Sequence, residues 1–175
     1  MPEKRPPEVW LRGPVQGVPA LLQPVAHGLL QCREELRLHV GPLSAGDIWV
    51  KPAEAASVGF HVRHAAGSLD RLFTYARGEA LSAAQHSLLS GEGEPDAAPG
   101  AVLRLLSAFD AAVDSALDQL RATGEATLLD PRGVGRAQLP STVLGLLFHA
   151  AEHTQRHVGQ VVTTVRLLPA IRRIG

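Results

Sequence analysis

The sequence predicts an all-α fold, a bundle of four long amphipathic helices, on three observations. Apolar residues recur at helical spacing over four stretches of roughly 20 to 28 residues, as the helices of a bundle require. Aromatic residues make up only 4% of the chain although hydrophobic residues reach 45%. A core of Ala, Leu and Val is built more readily from helices than from strands, which favour aromatic and β-branched side chains. Turn residues fall between the stretches, at Gly41-Pro42, Gly78, Ser90–Asp96 and Pro169.

The first helix is expected from about Val18 to Val40, with Leu21, Leu22, Val25, Leu29, Leu36 and Leu38 on its apolar face and Pro19 or Pro24 near its first turn, where proline is tolerated. The second follows from Ser57, a credible N-cap, to Arg77, and repeats Val58, Val62, Ala65, Leu69 and Leu72. A short segment from Leu81 to Leu89 adds a turn or two of helix. The third long helix spans about Ala98 to Arg121, with Leu105, Phe109, Val113, Ala116 and Leu120 facing inward. Residues 124–138 read as a connector, a loop or small extended excursion. Pro140-Ser141 then opens the fourth helix, which Pro169 closes after Leu168. The 175 residues make one domain, 1–175, with 1–14 and 170–175 as tails.

Charge and cysteine content narrow the function. Lys plus Arg and Asp plus Glu each number 17, so the chain has no basic block for phosphate contacts and no nucleic-acid role is expected. Asp110, Asp114 and Asp118 form a one-sided ladder that reads as a solvated face. The single cysteine, Cys32, reads as a buried apolar residue and fits a reducing compartment. No stretch resembles a signal peptide or membrane span, so a cytoplasmic protein is expected.

The chemistry lies in the histidines. His149, His153 and His157 stand four apart, one helical turn above another. At about 100° per residue the apolar stripe of this helix centres near Val143, Leu147, Val161 and Val165, with His153, His157 and Gln160 on its flank. Glu152 and Arg156 lie opposite. Two neutral imidazoles at this spacing can chelate one ion. The pattern is not a zincin helix, because Glu152 precedes His153 and no His-Glu-x-x-His exists. The second helix offers His61 and His64. Either can complete a site between facing helices. Wheel position favours His61, which lies nearer the apolar stripe.

His64 on a second helix, followed far downstream by His153-x-x-x-His157-x-Gly159-Gln160, resembles the DinB/YfiT-like superfamily, as does Gly67-Ser68-Leu69 within the segment Ser57 to Gly78. Its last-helix motif commonly reads His-x-x-x-His-Arg-Gly-Gln; here Val158 stands in place of the arginine. The resemblance implies a DinB-like four-helix bundle of up-down-down-up type, a homodimer, and one divalent ion, zinc or nickel, held by His64, His153 and His157. His61, His149, Gln160 and Tyr75 are then candidates to support those ligands. Relatives include thiol S-transferases that use low-molecular-weight thiols and proteins called metal-dependent hydrolases by inference. The resemblance implies a metal-dependent enzyme that transfers such a thiol to an electrophilic small molecule. A hydrolase and a non-catalytic metal-binding dimer are the alternatives. The sequence singles out no catalytic residue besides the ligands. An all-histidine site is expected to release its ion as pH falls through the ordinary histidine range, about 6.5.

Overall fold

The chain folds around five helices in the computed structural model, which describes residues 6–171 and the side chains of 6–169. Helix α1 runs Gln23–Val40, α2 Val58–Ala76, α3 Ala83–Ser90, α4 Ala101–Ala122 and α5 Val143–Ile171. Strands β1 (Pro131–Val134) and β2 (Leu139–Thr142) form an antiparallel hairpin before α5, with Gly133 opposite Pro140. Helix α1 packs against α4 and α5, and α2 packs against the same pair. One hydrophobic core fills the space between them, from Leu22, Leu29 and Leu36 through Val62 and Leu69 to Phe109, Val113, Leu147 and Val161.

Local chemistry sets the ends. The Ser57 hydroxyl accepts the Phe60 amide at 3.2 Å and caps α2. Pro24 sits in the first turn of α1, where its missing N–H costs nothing. Helix α3 opens with a reciprocal capping box between Ser82 and Gln85. Gly100, at φ +81, precedes α4.

Several boundaries differ from expectation. Pro140 and Ser141 do not begin the last helix; they are held extended in β2, and α5 starts at Val143, with Thr142 Oγ1 accepting the Gly145 amide at 3.0 Å. Pro169 does not end that helix but lies inside α5, which is described as far as Ile171. Residues 9–12, within the expected N-terminal tail, form a 3-10 turn with Val9 buried and Arg12 paired to Glu34 of α1. Residues 1–5 and 172–175 of the expected tails lie outside the described residues. The acidic ladder of α4 is not simply solvated. Arg37 of α1 binds Asp110 at 2.7 Å and Arg33 binds Asp114 at 2.5 Å, so two of its three rungs are ion pairs between the helices.

Phe109 is 1% exposed and among the largest fully buried side chains. Phe109→Ala is expected to cost about 3–5 kcal/mol, combining lost transfer energy and a cavity. Urea denaturation followed by circular dichroism measures this, and a loss below about 1 kcal/mol would contradict the packing described.

Candidate metal centre

The contact between α2 and α5 is where the histidines meet. His153 and His157 share one face of α5, and His64 approaches them from α2. One ring nitrogen from each of His64, His153 and His157 lies within 4.8 Å of the others. His64 Nε2 is 3.1 Å from His153 Nε2, and the His157 ring lies 4.5 Å from that of His64 and 4.6 Å from that of His153, centre to centre. Among the described residues no fourth His, Cys, Asp or Glu joins this group. His61 stands just outside it. Its Nδ1 shares a hydrogen bond with His157 Nδ1 at 3.0 Å.

Sequence reading missed the residue that orients His64. Glu92, only 5% exposed, places Oε2 2.6 Å from His64 Nδ1 and accepts a 2.7 Å hydrogen bond from Arg71 Nη1 on Oε1. A carboxylate on Nδ1 holds the proton there and leaves Nε2 as a lone pair facing His153 and His157, the arrangement that fixes metal-binding imidazoles. Gly67 makes room for it. A Cβ at that position would lie 2.6 Å from Glu92 Oε1 and 2.8 Å from Arg71 Nη1.

The loop that carries Glu92 is anchored to α2. Arg63 Nη1 donates to the Gly91 carbonyl at 3.0 Å and to that of Glu94, while its guanidinium lies 4.7 Å from the Trp49 ring centre. Trp49 in turn donates to the Asp96 carbonyl at 2.7 Å and packs against α2 where Gly59 has no side chain. No periodic signal reveals Glu92, because it belongs to neither helix face. Its flanking Gly91 and Gly93 mark only a turn.

Burial and mutual repulsion disfavour the charged forms of His157, His153 and His61. Burial, then the neighbouring His64, His153, His61 and Arg156 charges, pull His157 from 6.5 down to about 4. Burial, and then His64 and His149, lower His153, while burial and His64 lower His61. Burial opposes ionisation of Glu92, but the hydrogen bonds from His64 and Arg71 and the charges behind them outweigh it, so its carboxyl stays below the usual range. His153 Nδ1 is buried with no hydrogen-bond partner. The donor set suits a divalent ion: three imidazoles converge, with the Nε2 atoms of His64 and His153 3.1 Å apart.

The remaining candidates are spread around this centre. His149 is exposed, with Nδ1 3.3 Å from Glu152 and its ring 5.5 Å from that of His153. Tyr75 lines a cleft of about 240 Å³ together with Arg71, His149 and His153. Gln160 is exposed on the opposite flank, at a larger cavity beside His61. Val158, in place of the motif arginine, is 1% exposed and belongs to the core. Cys32 is 2% exposed, and burial pushes its thiol up to about 12, so it is no nucleophile near neutral pH.

Fold and centre together define a mostly helical protein with a three-histidine cluster able to hold a metal ion. The chain belongs to the DinB superfamily, whose family model matches residues 29–161. A crystal structure titled as a conserved protein from Enterococcus faecalis shares the fold, with TM-score 0.65 and 20% identity over 85% of this chain and 97% of that one. A comparison with curated proteins finds no match. Among the described residues no helix is long and apolar enough to cross a membrane.

Proposed function

We propose that the protein is a DinB-type four-helix-bundle enzyme that holds one zinc or nickel ion on His64, His153 and His157 and transfers a low-molecular-weight thiol to an electrophilic small molecule. The observation behind this reading is the trio itself: three imidazole donors with no fourth ligand among the described residues. Three protein ligands with a position left open are the pattern of catalytic, not structural, zinc sites. A divalent ion there supplies a lowered pKa to a thiol or water at its open position.

The chain's own residues do the rest. Glu92, braced by Arg71, keeps the His64 proton on Nδ1. His61 supports His157 through the contact between their Nδ1 atoms. In the transfer, the thiol proton passes to solvent, its sulfur bonds to the electrophilic carbon, and the leaving group departs with the bonding electrons. Hydrolysis is the same chemistry with water in place of the thiol. The cytoplasm, as a reducing and thiol-rich compartment, suits the first. Metal analysis of the purified protein, followed by thiol-consumption assays with an electrophile, tests the reading. Metal-loaded protein that accelerates neither thiol consumption nor hydrolysis would leave a non-catalytic metal-binding dimer in its place.

The ring environment also sets a pH dependence. A folded-state pKa of about 4 for His157, against an ordinary 6.5, means the unfolded chain takes a proton that the folded chain refuses. Its contribution to the stability of the metal-free fold is therefore complete above about 6.5 and is lost as pH falls toward 4. Proton competition with the metal moves down the same way, below the ordinary histidine range. Chelator-treated protein should show urea midpoints that drop between about pH 7 and pH 4. The drop should be smaller in His157→Gln. Equal slopes for the two proteins would contradict the assignment.

A further inference from the structure

A cavity of about 870 Å³ opens beside His61, between the 52–56 loop and the C-terminal half of α5. That volume lies within the range of pockets that enclose small organic molecules. Pro52, Ala55, Ala56 and Leu167 give it apolar walls, and Thr163 and Gln160 add hydrogen-bonding groups. Among the described residues Arg156 is the one strongly basic side chain on its lining, and no Asp or Glu lines it. Glu152 engages Nε and Nη2 of Arg156, leaving the Nη1 donors for another anion. His61 connects the cavity to the histidine trio, since it lines the one and touches His157 of the other.

The loop adds an independent sign. Ala53, also on the lining, holds φ +50, a left-handed conformation that a residue with a Cβ keeps only where its surroundings impose it. Such strain gathers at ligand clamps. Among the described residues Arg156 is the cation that α5 presents to this space.

We propose that this cavity binds the electrophilic substrate as an amphiphilic monoanion, its alkyl or aryl body between the 52–56 loop and α5 and its carboxylate against Arg156. The assignment rests on the metal-centre reading for the substrate's reaction, though not for its binding.

Isothermal titration of the metal-loaded full chain with straight-chain carboxylates from butanoate to octanoate, beside the matching alkanols, tests it. Affinity should rise roughly fourfold per methylene as apolar surface is buried. Arg156→Gln should weaken octanoate about tenfold, the scale of one charge-assisted contact, and leave octanol unchanged. A Cβ at Gly159, another lining residue, would meet nothing within 4 Å, so Gly159→Leu has room for its side chain to begin on the cavity side of α5. That variant should bind octanoate at least about tenfold more weakly, an effect expected when ligand contacts are displaced, while keeping its metal. No carboxylate binding, affinity independent of chain length, an inert Arg156→Gln, or Gly159→Leu binding like the parent would each overturn the proposal. Carboxylate binding in the expected pattern by protein that never holds a metal would support the cavity and overturn the metal reading instead.

Discussion

His64→Ala is expected to empty the metal site while leaving the far-ultraviolet circular dichroism of the protein nearly unchanged. The His64 Nε2 stands 3.1 Å from His153 Nε2, and removal of the ring leaves two donors where three converged. Helicity survives because His64 is a half-buried residue flanking the core, not part of it. His61→Ala is the matched control. That ring reaches the cluster only through His157, so its loss should cost about 10- to 100-fold in metal affinity, the scale of removing a supporting residue. Metal content per chain, measured for both variants beside the parent, decides. An empty His61→Ala beside a full His64→Ala would reverse the two roles. Two full variants would dissolve the three-histidine site.

Arg71→Met should both destabilise the fold and weaken the centre. Arg71 is 8% exposed and Glu92 5%, so the change strands a carboxylate in a buried place with His64 as its remaining partner. Breaking a buried pair this way costs about 3 kcal/mol. Without Arg71 the Glu92 carboxyl loses one of the groups that hold its pKa down, and its hold on the His64 proton weakens. Metal affinity should then fall about 10- to 100-fold. Arg71→Met combined with Glu92→Met should recover much of the stability, because no charge is left unpaired, but not the affinity. Urea midpoints and competition with a chromophoric chelator separate the two effects. An Arg71→Met protein as stable as the parent would show that the pair is not holding the loop.

The helical character was legible because each long helix buries one stripe. Leu29 and Leu36 in α1, Val62 and Leu69 in α2, and Phe109 and Val113 in α4 fall where the spacing places them, whereas Leu21 and Leu38, expected on the first stripe, lie exposed. The ends were less legible where one local rule competed with another. Pro140 looked like a helix start, but pairing with Gly133 in the hairpin held it extended. The histidines were visible as a ladder, and periodicity could not choose between His61 and His64. The wheel measures distance from the core, and His61 is indeed the more buried of the two. The ring drawn close to both His153 and His157 is nevertheless that of His64, because Glu92 holds it from the far side. That carboxylate arrives on a loop, through Arg63 and Trp49, and no pattern within a helix could announce it.

The histidine trio draws on just two elements of the fold. His64 and His153 stand 89 positions apart in the chain, on α2 and α5, with α3, α4 and the hairpin between them. An ion gripped by both would act as a removable crosslink closing that long stretch of chain, and the looser the metal-free protein is in this region, the more a crosslink restrains it. Its influence on motion would be lopsided. Amide exchange along the α2–α5 seam would slow on loading, while the arginine–aspartate seam between α1 and α4 would keep its own rate. The protein would then be a scaffold with one welded edge and one elastic edge, and occupancy of the centre would set how often the welded edge breathes.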